Sequence, residues 1–109
     1  MRTPTIKSLC VKWQKRLGLS DWDIKIEVVH SDALQGDQAA VLTTATLRRA
    51  TVRIADVNTE IEQSIIHELL HIHFALIDER FTKLENLIYE QAIEAIAWGL
   101  YNTEYVQTK

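Results

Sequence analysis

Two histidines and a glutamate form the pattern in this sequence that could do chemistry. His67 and His71 are four residues apart, and Glu68 directly follows the first of them. Residues four apart lie on one face of a helix, so both imidazoles can approach the same ion. Glu68, between them, could take a proton from a water molecule bound to that ion. This spacing is that of zinc peptidases, and it predicts Zn²⁺ held by the two histidines with Glu68 as the general base.

Because the pattern is short, two ordinary histidines are the alternative. A shuffled chain with this content of histidine and glutamate would contain the pattern in roughly one case per hundred. For either histidine alone, a hydrogen bond to a carboxylate or to the backbone is the better interpretation. The pair together with Glu68 favours a metal, because polar side chains on a buried helix need partners and unpaired ones cost several kcal/mol.

Two histidines leave a zinc ion short of a third protein ligand. If the last two helices fold back as a hairpin about a break near residues 80–81, His71 lies opposite Glu90 and His67 lies opposite Glu94. We predict Glu90 as the third ligand and Glu94 as an outer carboxylate that orients the His67 ring. In the alternative, Glu94 is a solvated surface acid. The other acids on or just past the last helix are Glu85 and Glu104.

The periodicity of the first half of the chain predicts one helix followed by three strands. Apolar residues at helical spacing run from Ile6 to Leu17 and stop at Gly18. The period then changes to two, as in a strand with one buried face. Val52 and Ile54 should face inward from the third strand. The three predicted strands cover residues 22–28, 38–47 and 51–55.

Two capping boxes predict two helices in the second half. Thr59 and Glu62, and likewise Thr82 and Glu85, have the spacing that reciprocal hydrogen bonds at a helix start require. Apolar residues wrap most of the first of these helices, so the metal-binding helix should be buried, and the last helix should run to about Asn102. The order α-β-β-β-α-α predicts a single α+β domain over residues 1–109, with a small mixed sheet packed on the metal-binding helix.

Composition and charge exclude several classes of function. The formal net charge of −3 and the pI of about 5.8 provide no basic field for nucleic acid or for an anionic membrane. A single cysteine excludes a disulfide framework, and no apolar run reaches the ~20 residues of a transmembrane helix. No apolar leader precedes the first helix, so we expect a cytoplasmic protein. The sequence leaves the oligomeric state open.

The metal-binding pattern resembles that of a known group of enzymes. His67-Glu68-x-x-His71, followed by Glu90 within residues 90–94, resembles the zincin metallopeptidases whose third ligand is a glutamate. Residues 17–24 are similar to the opening of minimal zincin domains, in which a helix and a glycine turn lead into a strand that begins Trp-x-Ile. Such domains include the SprT-like and ImmA/IrrE-like groups and small metallopeptidase-like proteins of phages and prophages.

The resemblance implies a zinc-dependent metallopeptidase in which a zinc-activated water hydrolyses a bond of a peptide or protein substrate. It also implies an edge strand beside the metal that holds the substrate in extended form. Residues 39–46 are mostly small, uncharged β-formers, so we expect this stretch to be that edge and to pair with the peptide backbone. In the alternative, this strand is central and packs beneath the helices. The candidate substrate-binding residues are Val41, Thr43, Thr44 and Ala45.

Three other functions fit the same sequence. The chain could be a non-catalytic, zinc-stabilised protein-binding module, an interaction domain without metal, or a hydrolase with a non-peptide substrate. Glu68 favours an enzyme over a binding module. The ligand count favours the same choice, because structural zinc sites are normally closed by four protein ligands and only three are evident here.

Overall fold

Three strands form a mixed sheet in which the last strand of the sequence lies in the middle. The computed structural model of the chain describes residues 5–75 and 81–105. Strands β1 (Asp23–Val29), β2 (Ala39–Thr44) and β3 (Arg49–Ala55) have the spatial order β1-β3-β2. β3 pairs in parallel with β1 and antiparallel with β2. Both β1 and β2 are therefore edge strands among the described residues.

The described ranges contain three α-helices, and the middle one is the centre of the core. They are α1 (Ile6–Arg16), α2 (Ile61–His73) and α3 (Lys83–Tyr105). α2 contacts α1 and α3 as well as β2 and β3. No helix in the described ranges is long and apolar enough to cross a membrane. The chain is an α+β domain, and the elements follow the predicted order.

The core lies between α2 and the inner face of the sheet. Val52 and Ile54 of β3 are fully buried, as predicted, because their side chains point from the central strand toward α2. In β1 the period of two places Val28 on the same face as Ile24 and Ile26, but Val28 is 53% exposed, so the inward alternation of β1 ends at Ile26. The buried side chains that α2 contributes to the core are Ile65, Ile66, Leu69, Leu70 and Ile72.

β2 is shorter than the sequence predicted. It ends at Thr44, and a 3-10 helix over Ala45–Leu47 follows it. Arg48 then adopts a left-handed conformation with φ 52°, which reverses the chain without glycine. β3 consequently begins at Arg49 rather than at Thr51. The prediction that the strand extends to residue 47 is wrong, and Ala45 lies in the turn.

The start of α2 differs from the predicted capping box. The side chains of Thr59 and Glu62 make no reciprocal bond, and the helix has no side-chain cap at its first position. Asn58 performs this role from two residues earlier, because its Oδ1 accepts the backbone N–H of Glu60 at 2.6 Å. Glu62 is thereby free to turn toward α1.

Asn58 also joins the edge strand to the metal-binding helix. It is buried, and its Nδ2 donates to the backbone oxygen of Gln38 at 3.0 Å and to Oγ of Ser64 at 2.9 Å. Gln38 directly precedes β2, and Ser64 lies in the first turn of α2. One amide therefore fixes the spacing between the edge strand and the helix.

The start of α3 matches the prediction. Thr82 N–H donates to Oε1 of Glu85 at 2.9 Å, and Glu85 N–H donates to Oγ1 of Thr82 at 3.2 Å, which completes a capping box. The helix continues past the predicted end at Asn102 to Tyr105. The predicted break near residues 80–81 lies partly outside the described residues, since residue 80 is not among them.

Glu62 of α2 makes side-chain contacts with both α1 and α3. Its carboxylate accepts hydrogen bonds from Nε1 of Trp13 at 2.6 Å and from the hydroxyl of Tyr105 at 2.7 Å, and it forms an ion pair with Nζ of Lys12 at 2.9 Å. Burial alone would raise the pKa of Glu62. The three donors outweigh burial and lower the pKa below its usual range, so the folded state favours the ionised form.

We expect Glu62→Gln to lower the free energy of unfolding by about 1–3 kcal/mol at pH 7, because charge-assisted bonds to a partly buried group are lost. A lowered pKa stabilises the fold above the unfolded value of about 4.3, and this contribution is lost as pH falls through the folded pKa. The difference between wild type and variant in urea unfolding should therefore shrink from pH 5 to pH 3. Glu27→Gln, which breaks the exposed pair with Arg53, should cost less than about 1 kcal/mol. Equal losses in the two variants would contradict this role of Glu62.

Candidate metal centre

Three side chains from two helices converge on one point. Nε2 of His71 lies 3.3 Å from Nε2 of His67 and 3.2 Å from Oε1 of Glu90, and Nε2 of His67 lies 3.5 Å from the same Glu90 oxygen. Zinc bonds of about 2.0–2.1 Å in tetrahedral geometry place ligand atoms about 3.3 Å apart. The three atoms thus have the spacing of three corners of a zinc tetrahedron, and they could hold a metal ion.

The fold explains why these residues meet. His67 and His71 lie one turn apart on the face of α2 that turns toward α3. Glu90 lies in the second turn of α3, which packs along α2, so its carboxylate reaches both imidazoles. The structure brings together the three ligands that the sequence analysis predicted.

The other ring nitrogens are held by two outer residues. Nδ1 of His67 lies 2.6 Å from Oε1 of Glu94, and Nδ1 of His71 lies 3.0 Å from the hydroxyl of Tyr89. When Nε2 is a metal ligand, Nδ1 carries the proton and donates it to such a partner. Glu94 therefore occupies its predicted position. Tyr89 was not predicted, because no motif marks it and its contact depends on the rotation of α3.

Glu94 is itself held in place by two donors. Its Oε2 accepts Nε1–H of Trp98 at 2.8 Å, and its Oε1 accepts Nε2–H of Gln63 at 3.2 Å. Burial raises the pKa of Glu94, but these bonds together with His67 outweigh burial and lower it. Glu94 is thus kept ionised, which favours the tautomer of His67 that leaves Nε2 free for an ion. The Glu94 side chain is half exposed, but its hydrogen bonds contradict the alternative in which it is a solvated surface acid.

Glu68 is buried, and its side chain has no hydrogen-bond partner among the described residues. The residue is 9% exposed, and its side chain makes no hydrogen bond with any residue in the ranges 5–75 and 81–105. Burial raises its pKa to about 7, with nearby carboxylates such as Glu90 adding to this effect and His67 opposing it. A cation at the three ligand atoms would lower the pKa again. The carboxylate faces the cavity described next, where a water molecule could reach it.

A cavity of about 660 Å³ joins the ligand cluster to the edge strand. One wall is the start of β2 with the residues before it, and the opposite walls are the polar faces of α2 and α3. The described residues that line it are Asp37, Gln38, Ala39, Ala40, Val41, Glu60, Gln63, Ser64, His67, Glu68, His71, Glu90 and Glu94.

The backbone of β2 is half unpaired along this cavity. Ala55 N–H donates to the oxygen of Gln38, and these two residues oppose each other in the antiparallel register. Because such pairs alternate, residues 40, 42 and 44 bond to β3, whereas residues 39, 41 and 43 turn their N–H and C=O groups to the free edge. Within the described ranges this stretch is therefore an edge strand, which contradicts the alternative of a central strand.

The four candidate substrate-binding residues occupy different positions. Val41 lines the cavity and has edge-facing backbone groups. The backbone groups of Thr43 also face the free edge, but Thr43 lies beyond the residues that line the cavity. The backbone groups of Thr44 bond to β3. Ala45 belongs to the 3-10 helix, so its predicted place in the edge strand is wrong.

Comparison with known proteins identifies no relative. No protein-family model, no curated protein and no solved structure matches the chain. The chemistry of the site is therefore the basis for a function.

We expect the three ligand variants His67→Ala, His71→Ala and Glu90→Ala to weaken zinc binding by at least about 100-fold, because each loses a direct bond to the ion. Glu94→Ala and Tyr89→Phe should weaken it by about 10–100-fold or less, since each loses an outer contact. Competition with a chromogenic chelator measures these affinities. Glu85→Ala, which removes only a helix cap, is the control. A larger loss for Glu94→Ala than for Glu90→Ala would reverse the two roles.

Proposed function

We propose that this chain is a zinc-dependent metallopeptidase of the zincin type with His67, His71 and Glu90 as ligands. The observation that carries the proposal is the tetrahedral spacing of the three ligand atoms beside the buried carboxylate of Glu68, which has no hydrogen-bond partner among the described residues. The donor set suits zinc, because two imidazoles and one carboxylate with an open fourth position are typical of catalytic zinc. The resemblance to small phage-type zincin domains supports the same assignment, and we extend it to a cytoplasmic location.

Glu68 is the general base of this proposal. When bound, Zn²⁺ lowers the pKa of a coordinated water to about 7 and polarises the carbonyl of the substrate. Glu68 accepts the proton of the attacking water and passes it to the leaving nitrogen as the C–N bond breaks. The Glu68 carboxylate makes no hydrogen bond with the described residues, so it is available for this proton. Because Glu68 directly follows the ligand His67, its side chain does not have to move far to reach the water.

The substrate of this proposal is a peptide that extends β2. The free backbone groups at Ala39 and Val41 lie along the same cavity as Glu68, so a paired peptide would pass the ligand cluster in extended form. Small side chains leave room for it on this part of the strand. The hydrogen bonds of Asn58 hold strand and helix at a fixed spacing, which keeps the peptide backbone aligned with the ion.

A non-catalytic, zinc-stabilised binding module is the second candidate. The same three ligands and the same edge strand would serve it. Two observations favour the enzyme. Three protein ligands leave an open position that a structural site normally closes, and a buried carboxylate without a partner has a cost of about 1–3 kcal/mol or more that a structural role does not offset.

We expect Glu68→Gln to bind zinc within about threefold of wild type, because the ligands are unchanged, and to lose at least about 1,000-fold in hydrolysis, because an amide cannot accept the proton. Mass spectrometry of denatured casein incubated with the zinc-loaded protein detects the products. His73→Gln, at an exposed histidine on the same helix, is the matched control and should cleave normally. Products that form equally with wild type and Glu68→Gln, or with neither, would refute a peptidase.

The edge strand gives a separate test. Thr43→Pro removes an N–H that faces the free edge, so it should weaken binding of a casein peptide that spans a cleavage site while the domain stays folded. Thr44→Pro removes an N–H that bonds to β3, so it should lower stability and leave peptide binding by the folded molecules unchanged. Fluorescence anisotropy with labelled peptide and urea unfolding measure the two effects. Unchanged peptide binding by Thr43→Pro would exclude pairing of the peptide as far along the edge as Thr43.

A further inference from the structure

A second hollow opens beside the cavity of the candidate metal centre. It has a volume of about 220 Å³ and lies between the start of α2 and the second half of α3. Glu60 and Gln63 line both spaces, so the two are adjacent. Gln63 is one helical turn before His67, which places the hollow about 5–6 Å along the helix axis from the ligands. A volume of this size is several times the roughly 30 Å³ of a water molecule and admits a long side chain.

The larger cavity and the adjacent hollow carry an excess of negative charge. Five carboxylates and no lysine or arginine line the larger cavity among the described residues, and a divalent ion offsets only part of that charge. Glu60, at the junction, is exposed and has no ion pair within the described ranges. Glu68 is nine-tenths buried, and its side chain likewise has no hydrogen-bond partner in those ranges. The five carboxylates are those of Asp37, Glu60, Glu68, Glu90 and Glu94.

Aromatic rings form the opposite wall of the second hollow. Trp98 and Tyr101 meet edge to face with their centroids 5.7 Å apart, and the bond from Trp98 to Glu94 fixes the indole. The faces of such rings attract cations. Glu62 also lines the hollow, but Lys12 already neutralises it, so Glu60 is the free charge there. A free carboxylate opposite aromatic rings suits a lysine or arginine side chain better than an apolar or acidic one.

We propose that this hollow, between Glu60 and the rings of Trp98 and Tyr101, binds the side chain of a lysine or arginine in the substrate peptide. An extended peptide advances about 3.3 Å per residue, so the basic residue lies within about two residues of the bond that is cleaved. The substrates are thus cationic peptide segments. This inference rests on the proposed function for the position of the cleaved bond, but the binding preference itself needs no catalysis.

The preference can be measured without turnover. The probes are two heptapeptides with blocked ends, alanine at six positions and either lysine or norleucine in the centre, binding to zinc-loaded Glu68→Gln. Lysine should bind at least about tenfold more tightly, and the ratio should fall as sodium chloride rises from about 50 to 500 mM, because salt screens the attraction to Glu60. Equal binding of the two peptides, tighter binding of norleucine, or no binding of either at 1 mM would overturn the proposal.

Variants of the residues that line the hollow test whether the preference for lysine arises there. In the same background, Glu60→Gln and Tyr101→Leu should each reduce the ratio to about threefold or less, because one removes the free charge and the other a ring. Asp23→Asn makes the same charge change on the opposite edge of the sheet and should keep the tenfold ratio. If Asp23→Asn lowered the ratio as much as Glu60→Gln does, the preference for lysine would depend on net charge alone, and the proposed site would be wrong. Lysine preference without hydrolysis by wild type would refute the peptidase and leave the hollow in place.

Discussion

The polar face of a buried helix is the constraint on which the rest of this structure depends. α2 has apolar side chains toward the sheet and α1, yet His67, Glu68 and His71 lie on its remaining face. Buried imidazoles and carboxylates are costly unless they have partners. α3 supplies those partners with Glu90, Glu94 and Tyr89, and of the three polar residues Glu68 alone has no hydrogen-bond partner in the part of the chain that the structure describes. The position of α3 is thus coupled to the polar face of α2 as well as to the apolar contacts of Ile93 and Ala97.

Charge is distributed unevenly between the two sides of this helix pair. On the side of α1, Lys12 and Arg16 form ion pairs with Glu62 and Glu104, so each acid there has a basic partner. On the side of β2, the acids face a cavity whose described lining holds no lysine or arginine. The first arrangement stabilises the junction of three helices. The acids on the side of β2 produce a negative electrostatic potential in the cavity, and this potential acts on any ligand that enters.

Local patterns determined how much could be predicted from the sequence. The spacing of His67 and His71 fixes a helix face, and the capping box of Thr82 and Glu85 fixes where α3 begins. Together they were enough to place Glu90 near both histidines. These inferences succeeded because each one depends on residues that are close in sequence.

Contacts between distant segments were beyond that reasoning. Asn58 replaces the capping box at Thr59 because the backbone oxygen of Gln38 and the hydroxyl of Ser64 are both within reach of its amide. The hydrogen bonds of Glu62 come from α1 and from the end of α3. The hydroxyl of Tyr89 meets His71 through the rotation of one helix on another. Periodicity and capping rules apply to residues that are close in sequence, so they cannot predict any of these contacts.

The strand order also bears on how the chain folds. β2 and β3 are joined by one short turn, and a hairpin of that kind closes within microseconds. β1 pairs with the other side of β3, where Asp23 meets Arg49 across the whole of β2 and its flanking turns. Closing that long loop has a larger entropic cost. The hairpin can therefore form first and serve as the template for β1, and because α2 packs on both β2 and β3, the same hairpin offers a surface on which α2 can dock.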